Sequence, residues 1–445
     1  MNPQGGPKRS SANARHEDAP VNAPAPVHPD YATRYSRYGH GIDVRATYAH
    51  LPAQWLWTWI TGKSLREHAP RAPKETWRSE LGLWGQLAWS WSLIVLGVLL
   101  GSWALYASVS MWIKVPACIF SWVLVVNRTR GLLHTFHYTN HGATIADMRR
   151  ARWIGRWFMS IPILHTSWIN YHKLHAEVHH GANDLCTDND PDQQFMTQHG
   201  FYYGMPEREY WLRLIYAPFL PRNLWAHFWF RVQQNFIVAT REEIVCRTAF
   251  WVVFLGVSIA TGTIQDLTLF YLFPLFVLTQ HSSWIQHTTE HLWFPRVPED
   301  TSRFVAVGAM TWGRFQGRPH PGHGRGPLHW LRLLKWWSLI VLIDIPIRLY
   351  SFMQDLPSHD FHHRAPRVSF WSIARERAAN EGLPSKFGPM TETWGIFESW
   401  QILRDHLCRQ AHDPFGVFAW DAEQRGPVRR DRCSMIPLGE PHAQG

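Results

Sequence analysis

The sequence predicts a mainly α-helical integral membrane protein, with four transmembrane helices paired as two hairpins and a helical cytoplasmic cap. Three observations predict it. Leu81–Ile113 runs 33 residues without a charged side chain, and a second apolar block covers residues 248–278. The chain holds 27 tryptophans, a residue that favours the membrane–water interface because its ring is apolar and its N–H is wet. Its 27 histidines are concentrated in short polar, aromatic stretches between and after the apolar blocks.

Taken in order, residues 1–50 are rich in Pro, Ala, Ser and Asn and read as a disordered N-terminal tail. Met1–Arg15 lacks the apolar core of a signal peptide. Residues 51–80 read as an interfacial helix region, since LPAQWLWTWITGKSL sets tryptophans beside polar residues, with a surface helix packed on the domain as the equal alternative. Residues 81–130 are long enough for a first hairpin of two passes of about 20 residues each. Lys114 then lies near an interface, snorkels, or faces the protein interior. Residues 131–247 form the first part of the cap. Residues 248–286 form the second hairpin, turning at Gly262, Gln265 and Asp266. Residues 287–425 complete the cap, with an interfacial helix at Leu331–Tyr350, and 426–445 form a C-terminal tail. In this topology both cap segments lie on one side of the membrane, so their histidines can converge.

The formal net charge is +10. Basic residues flank apolar runs, as at Arg128, Arg130, Arg149, Arg150 and Arg152. This distribution suits a cytoplasmic membrane face better than a nucleic-acid partner. The five cysteines have no close pairs, which excludes a disulfide framework and fits a reducing compartment.

The histidine stretches carry the chemistry. GLLHTFHYTNHGA holds His134, His137 and His141, and WINYHKLHAEVHH holds His172, His175, His179 and His180. In an α-helix, His172, His175 and His179 fall at about 0°, 300° and 340°, forming one stripe. QHSSWIQHTTEHLW supplies His281, His287 and His291, and SHDFHHR supplies His359, His362 and His363. Neutral imidazole is a ligand for iron, zinc, copper and nickel. About nine imidazoles exceed one tetrahedral zinc, whereas two metals with four or five nitrogens each account for them. His320 and His323 in RPHPGHGRG, with His199, His227 and His412, read as hydrogen-bonded structural residues.

The set resembles the membrane fatty acid desaturase and hydroxylase superfamily, whose boxes run HxxxH or HxxxxH, HxxHH or HxxxHH, and HxxHH. Here they are HYTNH at His137–His141, HAEVHH at His175–His180 and HDFHH at His359–His363. HHGAND followed by Asp190-Pro191-Asp192 is similar to the family's HHxxTN…DPD, with Ala182 in the usual threonine position. Gln286–His287 resembles the family's additional ligand-bearing helix end. Tyr138 stands where an acidic residue is frequent, and Arg364-Ala365-Pro366 replaces the usual continuation of the last box. The resemblance implies metal ligation by His137, His141, His175, His179, His180, His359, His362 and His363, with His287 as a ninth ligand. His134, His172, His291 and Asp190 are further ligands or partners of ligands, and no catalytic residue is implied beyond the metal site.

The implied cofactors are two non-haem iron ions, with O2 as co-substrate and a lipid or fatty acyl chain as substrate. Desaturation is the leading outcome. Hydroxylation or monooxygenation, including of secondary metabolites, is the alternative, because the same ligand sets serve both. Pro321-Gly322-His323 after His320 resembles the start of the cytochrome b5 haem motif but lacks its second glycine. Electrons are therefore expected from a separate ferredoxin, rubredoxin or cytochrome b5 type of carrier. Two readings from other classes also fit parts of the sequence. His287-Thr-Thr-Glu290-His291 matches the HxxEH of a membrane zinc peptidase, and a non-catalytic metal-binding or transport protein would also collect histidines.

Overall fold

The computed structural model describes residues 26–66, 77–181 and 183–425. Residues 1–25, part of the expected interfacial region, Ala182 and the expected tail at 426–445 lie outside them.

Trp77–Tyr106 and Met111–Asn140 form two long antiparallel helices, and Arg241–Ala260 forms a third. Glu80–Tyr106, Met111–Asn140 and Arg241–Ala260 are long and apolar enough to cross a membrane. Their outward faces are apolar: Leu96, Leu99, Ile119, Phe120, Val252 and Val253 are all exposed. Faces of this kind suit lipid and would be a solubility liability in water. Inside, Ser121 Oγ donates to Gly97 O at 2.6 Å, joining the first two helices. Gly101 lets the next apolar segment approach, since a Cβ there would meet the Phe270 ring at 2.2 Å. Lys114 sits in the first turn of its helix and donates to Leu105 O at 3.3 Å, at the end of the hairpin remote from His137 and His141.

From Ile264 to Glu290 the chain is helical without interruption, but not α throughout. Thr268–Leu272 and Pro274–Leu278 have i→i+5 bonding. Pro274 lacks an N–H, so the ladder is broken there and the turn widens. The second apolar block is thus a continuous rod whose C-terminal end, Thr279–Glu290, enters the histidine region. Pro327–Tyr350 is a similar rod, and Leu328, Trp330, Leu331, Leu334 and Leu342 lie exposed along it.

Residues 26–50, expected to be disordered, are folded instead. Strand β1 (Arg34–Tyr35) pairs in parallel with β3 (Thr391–Trp394), which pairs with β2 (Gly313–Phe315), giving the order β1-β3-β2. Val44, Arg45 and Tyr48 are fully buried. Partners more than 250 residues away hold this segment, including Arg318 O, which accepts from the Tyr48 hydroxyl at 2.6 Å. Local composition cannot show such support.

A buried ionic network ties this segment to the third histidine box. Lys63 Nζ lies 2.8 Å from Glu392 and 3.1 Å from both Asp43 and Glu381. Arg377 meets Asp360 at 3.0 Å, Glu381 at 2.7 Å and Glu392 at 3.3 Å. Asp360 lies inside HDFHH, so Arg377 fixes the box from behind. Arg377→Met would strip Asp360 of its cation and leave Glu381 and Glu392 to Lys63 alone, and removing one partner of a buried charged set costs about 3–5 kcal/mol. The expected outcome is a clear drop in the thermal unfolding midpoint in detergent, with box 3 loosened. An unchanged midpoint would show that the network is dispensable.

Candidate metal centre

The first box lies at the C-terminal end of Met111–Asn140, where His137 and His141, one turn apart, share a face. The second lies on Trp168–His179, whose part from His172 to His179 is π-helical. His180 N–H donates to His175 O at 2.9 Å, an i→i+5 bond. The third lies on a short α-helix, His359–Arg364.

These elements assemble two groups. His137, His141, His175, His180 and His362 form one, and His179, His291, His359 and His363 form the other, with ligand atoms in each within 4.8 Å of one another. In the first group four Nε2 atoms make a closed ring. His137 to His175, His175 to His180 and His180 to His362 are each 3.1 Å, and His362 to His137 is 2.6 Å. A ring nitrogen offers, in its plane, either one proton or one lone pair. Such a ring cannot give every member two well-formed hydrogen bonds, but a cation at its centre accepts every lone pair. His141 Nε2, buried and without a hydrogen-bond partner, completes the five. In the second group His363 and His359 Nε2 stand 3.2 Å apart, and both His291 nitrogens are buried without a partner. The groups adjoin through His180 and His363, whose rings stack at 4.4 Å.

The electrostatics suit ligation. Burial, and then the neighbouring imidazoles, hold His175, His180, His359, His362 and His363 well below the ordinary histidine value, so their lone pairs are free at neutral pH. His179 differs. Burial opposes its charge, but Asp190 and Asp192 outweigh it and lift the ring to about 9. Its Nδ1 lies 3.1 Å from both Asp190 oxygens, which leaves Nε2 for the metal group. Asp190 is itself held by the backbone N–H groups of Cys186 and Asp192, at 2.8 and 2.9 Å. Carboxylate–histidine pairs of this form orient a ligand and raise its basicity.

The family model for fatty acid desaturases matches residues 116–341, over half of the chain. The chain belongs to the fatty acid desaturase family. A comparison with curated proteins finds no match. The matched region holds the first two boxes and His291, while the third box follows it, brought in by the fold. Family and histidine groups together fit a membrane-bound, metal-dependent oxidase.

The structure brings eight of the nine expected desaturase-type ligands into the two groups and places the ninth, His287, outside both. His287 Nδ1 meets Ser283 O at 2.8 Å, and its Nε2 lies 3.5 Å from Asp192 and 3.9 Å from Glu290. His291 occupies the second group instead. The helix ends at Glu290 and His291 turns to extended backbone, bridging to Thr311, which swings its ring toward His179 and His363. The resemblance made His287 the ninth ligand and left His291 among the further ligands or partners of ligands. The same turn separates the two histidines of HxxEH, so they do not share a metal group as a zinc peptidase requires. His172 bonds Asn140 at 3.0 Å and joins neither group, and His134 is buried beside His137 without joining its group. Tyr138 stacks on His137 at 5.0 Å and contacts His362 at 4.7 Å. Arg364, in the altered end of box 3, donates to Gly388 O and Pro389 O.

Two outcomes follow. His291→Ala is expected to lower bound metal from two per chain toward one, by elemental analysis of purified protein, while His287→Ala retains both. Equal losses would place His287 among the ligands. Asp190→Asn is expected to keep the fold but weaken metal retention about 10–100-fold, read by chelator competition.

Proposed function

We propose that this protein is an O2-dependent di-iron oxidase that acts on an unactivated C–H bond of a lipid or fatty acyl chain, most simply as a desaturase. The observation that carries the reading is the pair of adjoining, buried, all-imidazole groups at the inner ends of apolar helices. One iron would be held by His137, His141, His175, His180 and His362, and the other by His179, His291, His359 and His363. Five nitrogens exceed what a closed tetrahedral zinc site takes. Thiolates are absent from both groups among the described residues. When bound, two ferrous ions supply two electrons to O2, and an external carrier supplies two more per cycle.

The chain's own residues set the conditions for that chemistry. Asp190 fixes the His179 tautomer, and Arg377 holds box 3 through Asp360. Burial of His175, His180, His359, His362 and His363 excludes water and keeps those rings neutral. Removing a second hydrogen from the neighbouring carbon gives an alkene. Hydroxylation is the second reading, supported by box spacings that alkane hydroxylases share.

For topology, we read 77–106 with 111–140, and 241–260 with 264–290, as two hairpins. Both histidine-bearing helix ends then emerge on the cytoplasmic side, where Arg149 and Arg150 are exposed. The segments 131–247 and 287–425 make up the cap. That basic rim suits an acidic ferredoxin, rubredoxin or cytochrome b5 carrier.

Expression in a host of known lipid composition, with mass spectrometry of total lipids, tests the reaction. Loss of two hydrogens from an acyl chain is the expected result, and gain of one oxygen would select hydroxylation. Neither change, in cells whose protein retains iron, would overturn the lipid substrate.

A further inference from the structure

A second set of histidines lies away from the metal centre. His50 comes from the N-terminal segment, His320 and His323 from the loop RPHPGHGRG, and His329 from the helix that follows. With Arg325, Leu51 and Leu333 they line an open cavity of about 700 Å³. The His50 ring stands 4.7 Å from that of His320 and 4.6 Å from that of His323. These contacts join positions some 270 residues apart, so sequence spacing could not show them.

Histidine clusters suggest a metal, but the local chemistry argues against one here. His320 is fixed in place: its backbone N–H donates to Thr47 Oγ1 at 3.0 Å, and its Nδ1 accepts from the Gly322 N–H at 3.0 Å. An imidazole that accepts at Nδ1 carries its proton on Nε2, so this ring is a donor rather than a ligand. The Arg325 guanidinium shares the cavity, and the described lining holds no carboxylate to offset it. Arg318, nearby in sequence, is already paired with Asp344. The cavity therefore presents ring N–H donors from its histidines and the positive charge of Arg325. Burial, and then His50, His323 and His329, hold His320 below its ordinary value. An anion among these rings would relieve that mutual repulsion.

We infer that this cavity binds the phosphate of an anionic phospholipid headgroup. Arginine and imidazolium make charge-assisted hydrogen bonds to phosphate oxygens. The lipid source follows from position. The rod Pro327–Tyr350 starts at the rim of the cavity and exposes Leu328, Trp330, Leu331 and Leu334. A headgroup at the rim would lay its acyl chains along that apolar face. This inference rests on the membrane placement of the protein but not on its reaction.

The test uses the full chain in nanodiscs of phosphatidylcholine with and without phosphatidylglycerol, with lipid retention read by native mass spectrometry. Wild type is expected to retain phosphatidylglycerol in preference to phosphatidylcholine. The double variant His323→Ala/Arg325→Ala, at two exposed positions, is expected to lose roughly tenfold in retention, and Arg325→Lys to keep most of it. Unchanged iron content and unfolding midpoint in both variants would assign the loss to the cavity. Equal retention by the double variant would overturn the inference. So would displacement of the lipid by inorganic phosphate, which would make free phosphate the ligand, or a zinc ion bound by wild type and lost in the variant.

Discussion

An imidazole nitrogen has one in-plane position, and in this protein that position is contested. Four Nε2 atoms stand in a closed ring with edges of 2.6 to 3.1 Å, deep in a buried site. Unscreened lone pairs held this close repel, and protonating the rings would bury several positive charges together, which is costlier still. The arrangement is stable when a cation sits among the lone pairs. Until then, the surrounding structure must hold it together. Much of the structure around the histidines serves this need.

The support comes from carboxylates that do not themselves enter the groups. Asp190 caps the helix Pro191–Gln198, accepts two backbone N–H groups and still reaches His179. Asp360 sits between His359 and His362 but points away to Arg377, which Glu381 and Glu392 also hold. Lys63 extends the same network to the N-terminal segment. Residues 26–66 are therefore part of the metal centre's foundation, although none of them faces it.

This division explains what the sequence could and could not reveal. Hydropathy made the apolar helices plain, and histidine spacing brought out the three boxes, because both are local patterns. The folding of residues 26–50 was hidden, since its supports are β3 and Arg318, far along the chain. His287 was preferred to His291 on the resemblance alone, and what brings His291 to the second group is not local: the helix ends at Glu290 through tertiary bonding to the 310–311 region. The 264–290 rod was legible as an apolar block, but its π turns around Pro274 were not.

The spacings of the second and third boxes differ by one residue, and helix type accounts for the difference. In the third box, on an α-helix, His359 and His363 are i and i+4 and enter the same group, while His362 turns to the other. In the second box, the i→i+5 bond from His180 to His175 brings those two rings edge to face at 4.7 Å, and they share a group while His179 crosses to its neighbour. Each box therefore gives two histidines to one group and one to the other, in opposite senses. Had His172–His179 been α-helical, His180 would lie about 140° round the helix from His175 and would not share its group. The five-and-four division of imidazoles would then fail. The extra residue in HAEVHH is what a π-helix needs to make the same kind of split that HDFHH makes on an α-helix.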